Sequence, residues 1–224
     1  AARVATTLAA FHNGGAEYED LPGEESCDQN HVALERLRRD VSEARERSAG
    51  ELFEPLLSEY LTGAELVIDE LQSLREDLVE TCLHLDVSPG NVILRANDRV
   101  GFIDCSHAAR GRRAFDVLTA LYYMDLSSQA GFGEPGRYED IDPDLESAFL
   151  SSYRSACSPP WKPAEDHAYR LEKRLLLIHA AAYWVLELGL AEVERRLVGY
   201  RDLNRKRQRS VAATESVLAG VITK

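Results

Sequence analysis

Residues 82–104 read CLHLDVSPGNVILRANDRVGFID, and this stretch decides how the rest of the chain is read. His84, Asp86 and Asn91 lie in a loop that contains Pro89-Gly90, and two short apolar runs follow at 91–95 and 100–104. Both runs are rich in β-forming residues, and the polar tetrapeptide Ala96-Asn97-Asp98-Arg99 between them suits a hairpin turn. Symmetric pairing about that turn predicts Arg95 opposite Val100 and Asn91 opposite Asp104. An amide oxygen and a carboxylate would then face one another at the open end of the hairpin. Two hard oxygen ligands placed that way can hold a magnesium ion that keeps most of its water or phosphate ligands. Asp86 precedes Asn91 by five residues, in the loop feeding the first strand. The arrangement predicts a phosphoryl-transfer site.

Outward from this stretch the pattern is helical. Upstream, Val4, Leu8 and Phe11 fall on one face of a short helix ending at Asn13-Gly14-Gly15. Residues 14–28 carry Glu17, Glu19, Asp20, Glu24, Glu25 and Asp28 around Pro22-Gly23 and read as a solvated loop; as a lid they would favour a cationic ligand. Val32, Leu34, Leu37, Val41 and Ala44 mark a second helix. A third starts near Glu51, with Leu52, Phe53, Leu56, Leu57, Tyr60, Leu61 and Ala64 on its buried side. It reaches Leu71 and Leu74 unless Gly63 splits it, and Pro55 falls in its first turn. Residues 74–81 then lead into the hairpin region.

Downstream, 106–113 reads as loop and 114–124 as a helix with Phe115, Leu118, Leu121 and Tyr122 inward. Tyr122, Tyr123, Tyr183 and Trp184 are assigned to core. Residues 127–140, rich in Gly, Ser and Pro, read as a connection, and Asp142-Pro143 as an N-cap with proline at the first helical position. That helix runs through Leu145, Phe149 and Tyr153 until Ser158-Pro159-Pro160 stops it. Leu171, Leu175, Ile178, Ala182, Val185, Gly189, Val193 and Leu197 predict one long helix, and 203–218 a last one. The basic cluster at Arg195, Arg196, Arg201, Arg205, Lys206, Arg207 and Arg209 reads as a solvated face. The fold class expected is mainly α with one small β-hairpin, unlike a doubly wound sheet.

Composition narrows the function classes. The 224 residues with 45% hydrophobic content can build a proper core. A formal charge of −12 repels nucleic acid from most of the surface. Cys27, Cys82, Cys105 and Cys157 are widely spaced and predict reduced thiols in a cytoplasmic protein. No run reads as a membrane span, and the first residues lack the order of a signal peptide. The absence of an initiating Met is taken as the mark of a trimmed or partial product.

The motifs carry a resemblance. His84-Leu85-Asp86-Val87-Ser88-Pro89-Gly90-Asn91 resembles the H-x-D-x-x-x-x-N catalytic loop of protein-kinase-like enzymes, and is most similar to the aminoglycoside phosphotransferase and choline kinase families. Phe102-Ile103-Asp104 resembles their metal-binding Asp motif, Phe115-Asp116-Val117-Leu118 the Tyr-Asp-Leu-Ala element, and Leu8-Ala9-Ala10-Phe11-His12 the Leu-Ala-x-Leu-His helix that opens the C-terminal lobe. Ser88 stands where these families often carry His, and Cys105 where Phe or Trp is commoner; neither departure removes a ligand.

The resemblance implies roles. Asp86 would be the catalytic residue that orients the acceptor hydroxyl and takes its proton. Asn91 and Asp104 would hold Mg2+ bridging the phosphates of ATP. His84 and Asp116 would support the catalytic loop. Residues 1–224 would form a kinase-like C-terminal lobe, with the catalytic loop and metal hairpin at 82–104 and helical substrate-binding subregions at 29–78 and 142–222. The function implied is an ATP- and Mg2+-dependent small-molecule O-phosphotransferase, with a non-catalytic kinase-like binding module as the alternative. No Gly-rich loop or strand Lys precedes the motifs. The chain alone is therefore expected to be inactive, its N-terminal lobe being truncated or encoded separately. The partner expected is a small hydroxyl-bearing molecule, with no nucleic acid and no membrane. The substrate-binding residues and the acceptor are not named by the sequence.

Overall fold

The computed structural model describes residues 1–15, 34–35, 38–39, 42, 50–96, 99–128, 141–176 and 178. It divides into two compact units: Ala1–Asp28 with Ser73–Phe132 and Asp140–Glu172, and Gln29–Gln72 with Gly133–Glu139 and Lys173–Lys224. The described part is mostly helical. Helix α1 covers Ala2–Gly15, α2 Gly50–Ser73, α3 Arg113–Ser128 and α4 Pro143–Ala156, and α5 covers 163–176. Four short strands, β1 (Glu80–Leu83), β2 (Val92–Leu94), β3 (Val100–Phe102) and β4 (Ala109–Arg112), lie between α2 and α3.

In the second unit, α2 buries Leu57, Tyr60, Ala64, Val67, Ile68 and Leu71 at three- and four-residue spacing, and Leu34, Leu175 and Ile178 are also buried. Gly63 does not split α2; a Cβ there would meet Ile178 Cδ1 at 3.6 Å. Pro55 sits inside α2, beyond the first turn expected for it, because the helix begins at Gly50. The long helix expected from Leu171 is described through 176 and at 178; the rest of it, the helix expected over 203–218 and the basic cluster lie outside the described residues, as do most of the acidic segment 14–28 and residues 129–140.

The first unit is built around the strands. β1 pairs antiparallel with β4, Leu83 facing Ala109 and Glu80 facing Arg112, while β2 pairs with β3. Two small sheets therefore stand where one hairpin was expected, and 106–113 is not all loop. β4 escaped notice because Ala109-Arg110-Gly111-Arg112 has no apolar alternation. It is a strand because its partner β1 is buried and needs its backbone groups paired. Leu83, Ala109 and Leu85 form an apolar cluster with Phe115 against it.

Helix α1 lies on β1 and α4. Its end approaches the strand so closely that a Cβ at Gly15 would stand 2.5 Å from Cys82 Cβ, so only glycine fits there. Thr81 Oγ1 donates to the His12 carbonyl at 2.6 Å across the same contact. At the start of α4, Asp142 accepts from the N–H groups of Asp144 and Leu145, with Pro143 following, as the cap expected from sequence.

The register of β2 and β3 corrects the expectation. Val92 faces Phe102 and Leu94 faces Val100, and Arg95 N donates to Arg99 O at 2.7 Å. The connection thus spans 96–98, one residue fewer than the symmetric turn requires, and a one-residue slip moves every side chain to the other face. Asn91 accepts at its carbonyl from Ile103 N at 3.0 Å, so Asn91 and Asp104 are not a cross-strand pair. Asp104 is instead the residue after the one Asn91 meets.

Candidate active site

The loop between β1 and β2 is held from below by one carboxylate. Asp116, in the first turn of α3, is fully buried. Its Oδ2 accepts from His84 N at 2.8 Å, and Oδ1 from Leu85 N at 2.9 Å. His12 Nε2 donates to Oδ2 at 2.9 Å. Burial alone would push this carboxyl up. The His12 bond and charge, with the two backbone N–H groups, outweigh it and hold Asp116 below its ordinary range, as an ionised acceptor. Leu85 has φ 63°, a left-handed conformation that costs a non-glycine residue about 1–3 kcal/mol and persists where surrounding bonds fix it.

His84 is buried, and its ring bonds two backbone groups. Nε2 donates to the Ile103 carbonyl at 3.1 Å, and Nδ1 accepts from Asp86 N at 3.3 Å. Both ring nitrogens are used on backbone groups, which leaves neither for proton exchange with a bound molecule. Its ring packs against Phe102 at 5.5 Å and Phe11 at 5.8 Å, joining the loop to β3 and α1.

Above this support lie Asp86, Asn91 and Asp104. Asn91 Nδ2 donates to Asp86 Oδ2 at 2.7 Å and to the Asp86 carbonyl at 3.0 Å. The amide nitrogen is thereby spent on Asp86, and Asn91 Oδ1 is turned away from it. Asp104 is exposed, with φ 58°, and its Oδ1 accepts from Ser106 Oγ at 2.6 Å and Ser106 N at 3.4 Å. These bonds hold its carboxyl below the usual range. The same carboxylate caps the short turn Cys105–His107.

The donor set suits magnesium. Asn91 Oδ1 and the Asp104 carboxylate are hard oxygens, and a small octahedral ion takes one or two such ligands while keeping water and phosphate for the rest. Among the described residues no group of three or more His, Cys, Asp or Glu could enclose a metal.

The comparisons with known proteins can be set on this geometry. The model of the phosphotransferase enzyme family matches residues 1–148, more than half of the chain and all of the site just described. The chain belongs to that family. Among solved structures it is similar to the ethanolamine kinase of Plasmodium vivax (12% identity, TM-score 0.54, covering 97% of this chain and 58% of that one). It is likewise similar to an aminoglycoside phosphotransferase of Alicyclobacillus acidocaldarius (18%, 0.52, covering 99% and 64%). The third is the choline kinase LicA of Streptococcus pneumoniae (15%, 0.52, covering 100% and 63%). At these identities the likeness is one of fold, and the chain spans about three fifths of each of these structures. No curated protein sequence matches it.

Within this member of the phosphotransferase family, the structure brings together residues that sequence reasoning had left without a role. His12 appeared only as the end of a helix motif, yet its ring joins Asp116 to the Tyr153 hydroxyl, 2.5 Å from Nδ1. Arg113 is 1% exposed and makes a two-armed pair with Glu165, at 2.5 and 2.7 Å, and also donates to the carbonyls of Pro159 and Pro160. Tyr123 is half-buried, short of the core position expected for it; burial raises its phenol, with a smaller contribution from the Asp86 charge. Tyr122 is half-buried as well. The sequence signal for Arg113 is a charge set beside the buried stripe Ala114, Val117, Leu118 and Leu121, whereas Asp116 is already marked by the Phe115–Leu118 motif. A charge in such a place needs a partner. Tyr183 and Trp184 lie outside the described residues.

Proposed function

We propose that the intact protein is an ATP- and magnesium-dependent O-phosphotransferase acting on a small hydroxyl-bearing molecule, and that this chain corresponds to the C-terminal, catalytic and acceptor-binding lobe of such an enzyme. The observation that carries this reading is the Asn91 amide bridging to Asp86 on a loop whose backbone is tied to buried Asp116. That arrangement fixes one oxygen of Asp86 and leaves the other to meet an acceptor. Asp86 Oδ1 would accept the hydroxyl proton as the acceptor oxygen attacks the terminal phosphorus and the bond from that phosphorus to the bridging oxygen breaks, releasing ADP. Asn91 and Asp104 would hold the magnesium, which when bound neutralises phosphate charge. The transition state is loose, so the protein's part is placing charge and excluding motion, and a carboxylate held by an amide serves that purpose.

The names of the similar structures point to amino alcohols and aminoglycosides as the acceptor class, and the acidic composition agrees with a cationic acceptor. Since the chain spans about three fifths of those structures, a further lobe closing over the nucleotide belongs to the proposal. The test is Asp86→Ala in the intact protein, assayed for phosphate transfer from ATP to a panel of amino alcohols, aminoglycosides and neutral sugars. Loss of the proton acceptor should lower kcat by about 10²–10⁴-fold while the thermal transition is kept. Transfer at the wild-type rate by this variant would refute the assignment. A wild type that binds Mg-ATP and transfers to no acceptor would support a non-catalytic module.

A further inference from the structure

Tyr153 lies in the fourth turn of α4, fully buried, and its hydroxyl meets the ring nitrogen of His12 that faces away from Asp116. We propose that Tyr153 is a positioning residue for the catalytic loop, acting through His12 and Asp116; this inference rests on the function proposed above. Asp116 is an ionised acceptor, so the nitrogen facing it, His12 Nε2, carries a proton. Nδ1 is then left for Tyr153. Burial pushes the Tyr153 phenol well up, against the pull of the Arg113 charge, so its hydroxyl keeps a proton at every working pH. A hydroxyl can donate to a bare Nδ1 or accept from a protonated one, and it holds the ring either way. With both nitrogens engaged, the imidazole cannot flip and withdraw Nε2–H from the carboxylate that carries the His84 and Leu85 amides.

Tyr153 is in turn fixed from its far side. Its ring meets Trp161 edge-on at 5.6 Å and His12 at 5.7 Å. The guanidinium of Arg113 lies over Trp161 at 5.5 Å and that of Arg154 at 5.7 Å. Trp161 Nε1 donates to Asp166 at 2.8 Å, and Arg154 bonds the same carboxylate. Arg113 precedes Asp116 by nearly one turn of α3, so the linker after α4 braces both Tyr153 and the helix that carries the loop's anchor. Packing alone would be served equally by phenylalanine. Only the hydroxyl distinguishes the residue, and its partner is His12.

The experiment is Tyr153→Phe in the intact protein. One neutral hydrogen bond supports a three- to tenfold fall in kcat, about 0.7–1.4 kcal/mol, with KM for ATP and acceptor unchanged. Phe149→Leu, in the same helix core, should lower the melting temperature and leave kcat alone. Tyr153→Phe combined with His12→Gln should cost no more than His12→Gln by itself. A wild-type kcat in Tyr153→Phe, or additive losses in the double variant, would overturn the proposal. Without any substrate, ¹H–¹⁵N spectra of Tyr153→Phe should show the His84 and Leu85 amides displaced; unmoved amides would overturn the coupling even where wild-type turnover stands. Displaced amides in a protein that transfers no phosphate would uphold the coupling and refute the enzymatic reading. If the variant does not fold, ¹⁵N shifts of the wild-type His12 ring decide: a ring fixed with Nε2 protonated supports the proposal, and averaged tautomers overturn it.

Discussion

Two antiparallel strand pairs lie within residues 80–112, and they differ in nearly every physical respect. β1 and β4 are buried, close an apolar cluster, and are tied to α1 through Gly15 and Thr81. β2 and β3 are half-open to solvent, with Leu94 74% exposed and Ile93 and Ile103 also exposed. The inner pair carries the proposed metal ligands at its open end, and the outer pair carries none. Yet the outer pair closes the excursion from 84 to 108 at its base, and Asp116 reaches back from α3 to the two residues that follow β1. The lesson is a division of labour. Residues that would meet substrate stand on an open element whose backbone is held by a buried one.

This comparison can be broken by substitution. The largest effect on stability is expected at Leu83→Ala, which empties the cluster of Leu85, Ala109 and Phe115; urea unfolding should show a loss of about 3 kcal/mol. A loss below about 1 kcal/mol would mean that the outer pair does not anchor the excursion. Next comes Asp116→Asn, whose NH₂ cannot accept from both backbone donors; at neutral pH it should cost about 1–3 kcal/mol.

Its pH dependence sharpens the point. The folded carboxyl of Asp116 is held below its unfolded value of about 3.9, so its stabilisation is complete above that value and disappears as pH falls through the lower folded one. The wild type should therefore show a steeper acid limb below about pH 4 than Asp116→Asn. Parallel limbs in a pH series of urea midpoints would contradict the assignment. The smallest effect is expected at Leu94→Ser on the open pair, within about 0.5 kcal/mol of wild type. A large loss there would erase the contrast between the sheets.

Much of this was legible from residue order. The loop, the inner strands, the N-cap at Asp142 and the helical face through Leu57, Ala64 and Leu71 each follow from local chemistry or spacing. What could not be read depends on partners distant in sequence. β4 has a strand's backbone without a strand's pattern. Its pairing is imposed by β1, and its buried Arg112 is close to Glu172 at 3.4 Å. The inner register turned on whether the connection closes over 96–98 or 96–99, a choice that Ala-Asn-Asp-Arg does not make by itself. His12, Tyr153, Arg113 and Glu165 acquire roles only when α1, α3, α4, α5 and the linker after α4 meet; each alone reads as an ordinary helix residue.

The claim that the open pair carries a magnesium-nucleotide site is tested most directly by paramagnetic broadening. Mn²⁺ titrated in place of Mg²⁺, with ATP present, should broaden the amide signals of Asn91, Ile103 and Asp104 first and leave those of β1 and β4 sharp. Asp104→Asn should abolish most of that broadening. Equal broadening of both strand pairs, or broadening that survives Asp104→Asn unchanged, would contradict the account.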